Sequence, residues 1–199
     1  RVKNISVYAF EPSYQELNFL KNNLNLNNIR NVNVIEMAIG DEEGIATFND
    51  TRNNLGRNSS GGGFITKDDD RAETSNVSTS YKVKTTTLDI FFKNKLSEKC
   101  NIFIKIDLEG YDLKAIKGAT YLLNNKDCSV IFEFSKMIMA QKGYSLDQIK
   151  IFTDNGFKLF DIYGKELRPE NLEENISNLD DDHDTCGNYI LTKKNLSFN

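Results

Sequence analysis

The chain has 199 residues, of which 39% are hydrophobic and 27% charged, a composition typical of a globular protein with one core. Its formal net charge is -4 and its pI about 5.2, which argues against a nucleic-acid partner, because that contact needs clustered Lys and Arg. No apolar run approaches the roughly 18 residues of a membrane span. Three widely spaced cysteines favour a reducing, cytoplasmic setting.

Short apolar runs bounded by turn residues predict strands along most of the chain. They cover residues 5–10, 32–36, 45–48, 81–87, 102–107, 129–134, 157–162 and 188–192. Helical spacing of apolar residues falls between many of them, over 14–27, 88–96, 111–123 and from 145 to about 156. Ser13 and Thr87 are expected to cap the first two helices. The alternation predicts an α/β fold with a mostly parallel central sheet and helices on both faces.

Two segments lack such patterns. Residues 49–80 carry four glycines, many Ser and Asn, and an acidic run at 68–70, and they predict a long loop: either a simple insertion or a lid over a ligand. Their glycines form neither GxGxxG nor a P-loop. Residues 167–184 are polar and acidic and predict a loop. They contain the only histidine, His183, for which a solvated surface position is favoured over a metal site or a catalytic triad.

Two carboxylates follow one of the apolar runs. Asp107 and Glu109 come directly after residues 102–106, which predict a strand buried on both faces although Lys105 interrupts them. In open α/β sheets, ligands bind outside the carboxyl ends of the strands. Asp107 and Glu109 are therefore candidates for ligand binding, metal binding or proton transfer. The alternative is that both cap the next helix.

Three further positions follow predicted strands in the same way. Glu11 comes after the first strand, where an acid commonly accepts hydrogen bonds from ribose hydroxyls, although an acid at a helix N-terminus is the simpler interpretation. Met37 and Ala38 follow the second strand and form either a flat slot for a purine or ordinary core packing. Glu133 ends the strand after that of Asp107, and its support as a site residue is weak.

The order of several segments resembles the FkbM-type methyltransferases. The first half of that pattern matches residues 8–12 (YAFEP), 20–23 (LKNN) and 38–44 (AIGDEEG). The second half matches residues 85–89 (TTTLD), 105–110 (KIDLEG) and 113–119 (LKAIKGA). Together they cover roughly residues 7–162.

The resemblance implies an S-adenosylmethionine-dependent O-methyltransferase with a Rossmann-like class I sheet, in a single domain over 1–199. Glu11 then holds the ribose, Met37 and Ala38 line the adenine, and Asp107 lies near the methionine part and the acceptor. Asp107 or Glu109 accepts the proton of the acceptor hydroxyl. The resemblance leaves a divalent metal at this pair open but does not imply one. The acceptor implied is a hydroxyl of a sugar, glycan or other small metabolite.

One part of the family pattern has no counterpart. The first strand and its glycine-rich turn would precede Val2, so the resemblance implies an N-terminally incomplete domain. Two competing hypotheses follow from the residues. One is a non-catalytic binding or scaffold module with a methyltransferase-like fold. The other, weaker one is a metal-dependent hydrolase that uses Asp107, Glu109 and Glu133. The oligomeric state is not predicted.

Overall fold

A computed structural model describes residues 5–50, 63–66, 77, 79–108, 110–135, 147–171 and 186–196. The chain divides into two compact units, Arg1–Thr86 and Thr87–Asn199. Within the described residues, the helices are too short or too polar to cross a membrane. The expectation of one domain over 1–199 stays a prediction.

The described residues of the first unit form one long helix and two sheets. Its elements are β1 Val7–Phe10, α1 Tyr14–Leu26, β2 Val32–Ile35, β3 Ala38–Ile39, β4 Gly44–Asp50, β5 Gly63–Thr66 and β6 Thr79–Thr86. β1 and β2 form a parallel pair in which Phe10 lies opposite Ile35. The other sheet has the order β3-β6-β4-β5. Its core is formed by buried Ala38, Phe48 and Val83, with Ile65 and Tyr81 packed against them.

The predicted caps are confirmed. Ser13 Oγ accepts a hydrogen bond from the Glu16 N–H at 3.3 Å, which begins α1, and buried Leu17 anchors the first turn of that helix. Thr87 Oγ1 accepts from the Ile90 N–H at 3.0 Å. Each hydroxyl satisfies one of the N–H groups that a helix start leaves without an intrahelical partner.

The described residues of the second unit include a five-stranded sheet. Its elements are α2 Leu88–Phe92, β7 Asn101–Ile106, α3 Asp112–Lys117, α4 Thr120–Asn125, β8 Asp127–Ser135, α5 Asp147–Asp154, β9 Lys158–Asp161, β10 Glu166–Leu167, a 3-10 turn Pro169–Asn171, and β11 Cys186–Thr192. The sheet order is β10-β9-β11-β8-β7. Side chains from its middle strands are fully buried and form the core, among them Val130, Phe132, Leu159 and Leu191.

The α/β class is confirmed, but the expectation of a mostly parallel sheet is wrong for the described strands. The pairs β1–β2, β3–β6 and β7–β8 are parallel, whereas β4–β5, β4–β6, β8–β11, β9–β11 and β9–β10 are antiparallel. Antiparallel strands need only a short connection, and residues 162–165 make such a turn between β9 and β10. The sequence pattern predicted where the strands lie along the chain but not whether they run parallel or antiparallel.

The expectation that residues 102–106 are buried on both faces is also wrong. Among the strands that the structure describes, β7 lies at the edge of its sheet, and its side chains alternate between a more buried face and an exposed face. Phe103 is 67% exposed, while Ile106 is 3% exposed. Lys105 in the apolar run was the sequence signal for this solvated face, because a charged side chain is rarely buried without a partner.

The helices predicted over 111–123 and 88–96 are shorter than expected. The first is split into α3 and α4 at Gly118 and Ala119, and the second ends at Phe92. The split has a local cause. Asp89 Oδ2 and Oδ1 accept from the N–H groups of Tyr121 and Leu122 at 2.8 and 2.9 Å, so a carboxylate from α2 begins α4 as a separate helix.

The two segments predicted as loops are described in part. Residues 49–50, 63–66 and 79–80 of the proposed lid belong to β4, β5 and β6. The rest of it, apart from residue 77, lies outside the described residues, and its role over a ligand stays a prediction. In the acidic segment 167–184, Leu167 belongs to β10 and residues 169–171 form the 3-10 turn. His183 lies outside the described residues.

Candidate functional site

Two of the predicted ligand-binding positions meet at the carboxyl edge of the β1–β2 pair. The backbone N–H groups of Glu11 and Met37 both donate to the carbonyl oxygen of Ile35, at 3.0 and 2.9 Å. Since β1 and β2 are parallel, the residues that follow them emerge at the same edge. The structure therefore brings the backbones of Glu11 and Met37 together within the first unit, and their roles in cofactor binding stay predictions.

The Glu11 carboxylate is held by its own chain. Its Oε1 accepts from the Ser13 N–H at 2.8 Å, and the side chain is half-buried. This hydrogen bond supports the simple role of an acid at a helix start. It also fixes the orientation of a carboxylate group, whose two oxygens can accept several hydrogen bonds. Such a group can accept from the paired hydroxyls of a ribose.

Met37 and Ala38 have different surroundings. Ala38 pairs with Thr85 in the short β3–β6 ladder, and its side chain is 2% exposed, in the core with Phe48 and Val83. Met37 is half-buried. The side chain of Ala38 thus packs in the core, whereas Met37 offers a polarisable surface of the kind that contacts flat rings.

Asp107 lies directly after β7, in the second unit. Its Oδ2 accepts from Lys105 Nζ at 3.1 Å, and the same ammonium donates to Asn188 Oδ1 and to the Ile106 carbonyl, each at 3.2 Å. The Asp107 side chain is 56% exposed. Its carboxylate is oriented by Lys105. The side chain of Tyr111, the N-cap residue of α3, makes no capping hydrogen bond to that helix.

Sequence reasoning missed a second carboxylate at this edge. Asp112 is 4% exposed, and its Oδ2 and Oδ1 accept from the N–H groups of Leu108 and Glu133 at 3.3 and 3.4 Å. Burial raises its pKa to about 6, the nearby charge of Asp107 adds to this, and the backbone hydrogen bonds oppose it. The sequence did carry a sign of this burial. Asp112 is spaced by three, four and seven residues from Ala115, Ile116 and Ala119, so it lies on the same buried stripe, which runs along α3 and just past its end.

Comparison with known proteins decides the family. The sequence model of the methyltransferase FkbM domain matches residues 3–159. The chain belongs to the methyltransferase FkbM domain family. The structure of a methyltransferase FkbM from Methylobacillus flagellatus KT is similar to this chain, with a TM-score of 0.51 and 13% sequence identity. The match covers 94% of this chain and 36% of that protein, and at this identity it shows the fold alone. No curated protein matches the chain at a significant level.

Within this FkbM domain, some predicted site residues remain untested. Glu109 lies outside the described residues, so its proton-transfer role stays a prediction. Glu133 is half-buried, and its backbone N–H is what reaches Asp112. Among the residues that the structure describes, no group of three or more His, Cys, Asp and Glu side chains could hold a metal ion.

Proposed function

We propose that this FkbM domain is an S-adenosylmethionine-dependent O-methyltransferase that acts on a hydroxyl of a sugar or other small metabolite. The observation that carries the proposal is the meeting of Glu11 and Met37 at the Ile35 carbonyl, at the carboxyl edge of two parallel strands. Ligands of open α/β sheets bind at such edges. Family membership supports the reaction type, and the acceptor class rests on the resemblance alone.

The residues present fit the proposed cofactor in their chemistry. Glu11 supplies an oriented carboxylate for the ribose hydroxyls, and Met37 supplies an apolar surface for the adenine, with Ala38 packed in the core beneath this segment. Asp107 supplies an exposed carboxylate that can accept from an ammonium group. We also propose that the fold is a Rossmann-like class I sheet with helices on both faces, which the parallel pairs β1–β2 and β7–β8 support.

When bound, S-adenosylmethionine supplies an activated methyl group for in-line displacement by an acceptor oxygen. The protein's part is to hold that oxygen in line and to take its proton. Asp107 is the proposed proton acceptor at its carboxylate oxygens, with Glu109 as the second candidate. Lys105 orients the Asp107 carboxylate through its 3.1 Å hydrogen bond to Oδ2. A cytoplasmic location is part of the proposal, supported by the free thiols of Cys100 and Cys128.

The test is calorimetric titration of S-adenosylhomocysteine into the 199-residue chain and into Asp107→Asn, together with transfer of a labelled methyl group to a panel of sugars. We expect the parent chain to bind and Asp107→Asn to lose transfer. Asp127→Asn is the matched control, because Asp127 also forms an exposed pair with a lysine, Lys194, but lies at the amino end of β8. Its binding and transfer should equal those of the parent chain.

Two outcomes would contradict the proposal. Failure of the parent chain to bind S-adenosylhomocysteine would reject the methyltransferase function for the 199-residue chain, and failure of an N-terminally extended chain as well would leave the binding or scaffold module. Equal losses in Asp107→Asn and Asp127→Asn would show that loss of a surface ion pair alone explains the effect, and would reject the role of Asp107.

A further inference from the structure

Asp112 lies where β7 leaves its ladder with β8. Ile106 and Phe132 are the last paired residues of the two strands. The next residue of β8, Glu133, donates its N–H to Asp112 Oδ1 at 3.4 Å. The second residue after β7, Leu108, donates its N–H to Oδ2 of the same carboxylate at 3.3 Å. One side chain thus accepts from both chains just beyond the end of their ladder.

One of these two hydrogen bonds holds the residue next to Asp107. Leu108 is the neighbour of Asp107, and its carbonyl accepts from the Tyr111 N–H at 3.1 Å. The backbone after Asp107 is therefore fixed at both its N–H and its carbonyl. A carboxylate has two acceptor oxygens and can serve both N–H groups, whereas a carboxamide has only one.

Asp89 gives a comparison within the same unit. It also accepts two backbone N–H groups with its two oxygens, but those belong to Tyr121 and Leu122 at the start of α4. Asp89 is more exposed than Asp112, and a deeply buried carboxylate is costly to maintain. The two carboxylates have the same bonding pattern, and they differ in which backbone segment they hold.

We propose that Asp112 is a positioning residue for the candidate site, because it clamps the backbone N–H groups of Leu108 and Glu133 and thereby places the Asp107 carboxylate. It acts through Asp107 and contacts no reacting atom. This inference rests on the proposed function, since Asp107 is the group whose placement matters.

The test combines two measurements on the full chain: residue-resolved amide hydrogen exchange, and calorimetric titration of S-adenosylhomocysteine. In Asp112→Ala, exchange at the Leu108 and Glu133 amides should accelerate at least about tenfold, and affinity should fall at least about tenfold. Asp112→Asn retains one acceptor, so one of the two amides should remain protected. This milder variant serves if Asp112→Ala fails to fold.

Asp89→Ala is the control for general loss of stability. Its exchange should accelerate at Tyr121 and Leu122, and its affinity should stay within about threefold of the parent chain. Equal losses of affinity in Asp89→Ala and Asp112→Ala would overturn the inference, as would unchanged affinity in Asp112→Ala. If the parent chain does not bind, the proposed function fails. Amide hydrogen exchange alone then tests whether Asp112 holds the backbone N–H groups of Leu108 and Glu133. Acceleration confined to Leu108 and Glu133 then supports it, and unchanged or uniform exchange rejects it.

Discussion

A hydrogen bond joins Glu11 and Ser13 at the start of α1. The Ser13 N–H donates to Glu11 Oε1 at 2.8 Å, while Ser13 Oγ accepts from the Glu16 N–H at 3.3 Å. The sequence left two interpretations of Glu11 open, an acid at a helix start and a ribose acceptor. The geometry makes them compatible, because a carboxylate can accept several hydrogen bonds and the contact with Ser13 fixes the direction of the group.

The proposed ribose contact can be separated from the helix contact by Glu11→Gln. The amide oxygen can still accept from the Ser13 N–H, so the free energy of unfolding should change by less than about 0.5 kcal/mol. The charged acceptor is lost, so affinity for S-adenosylhomocysteine should fall about tenfold, or about 1.4 kcal/mol. Calorimetry measures the affinity, and urea unfolding measures the stability.

A matched variant is Glu36→Gln. Glu36 follows β2 as Glu11 follows β1, but it is exposed and forms an ion pair with Lys21. Exposed pairs of this kind contribute little to stability, and we expect no change in affinity. Equal effects of the two variants would contradict a specific role for Glu11.

The sequence located most strands within two residues of their observed ends, and it located both helix caps. These features depend on local patterns: apolar runs for the strands, and Ser13 or Thr87 before an apolar stripe for the helices. Strand direction depends on distant pairings, such as that of β11 between β8 and β9. No local pattern encodes that placement, which is why the mostly parallel sheet was predicted wrongly.

The candidate site residues show the same division between local patterns and distant pairings. Glu11, Met37 and Asp107 were proposed because each follows an apolar strand, and that rule needs only local sequence. The apolar stripe of α3 was a local sign that Asp112 is buried, but its partner Glu133 comes 21 residues later in the chain. A buried carboxylate that binds backbone groups of two segments becomes visible only when both are placed in space.

The carboxylate of Asp89 should stabilise α4. Asp89→Ala removes the acceptor for the Tyr121 and Leu122 N–H groups, and loss of such a cap costs about 1–2 kcal/mol. Urea unfolding followed by circular dichroism measures the loss. Asp89→Asn keeps one acceptor oxygen and should lose about half as much. A destabilisation below about 0.3 kcal/mol in Asp89→Ala would show that water replaces the cap without cost.

Gly110 should be required by the backbone after Asp107. Its φ is +92°, a conformation that residues with a Cβ adopt only with strain. Gly110→Ala should therefore destabilise the chain by about 1–2 kcal/mol. Gly40→Ala is the control, because a Cβ there meets no atom within 4 Å and the φ is not in the strained region. That variant should be neutral or slightly stabilising. Similar losses in both variants would contradict the role given to the φ of Gly110.

Asp112 should make stability depend on pH in a direction opposite to that of most carboxylates. Burial, assisted by the charge of Asp107, raises its pKa from 3.8 to about 6, against the hydrogen bonds from Leu108, Glu133 and its own N–H. The folded state therefore binds the proton more tightly than the unfolded state. By linkage, the contribution of Asp112 to stability is greatest below its unfolded pKa and decreases as the pH rises through about 6.

Asp112→Asn removes this dependence, because the amide does not titrate in this range. Unfolding in urea should be compared for both proteins at about pH 5 and about pH 7.5. The variant loses one hydrogen bond at both pH values, at a cost of about 1 kcal/mol. Relative to the parent chain, however, it should gain about 1 kcal/mol on going from the lower to the higher pH. A difference between the two proteins that stays constant with pH would mean that the Asp112 pKa is not raised in the folded chain.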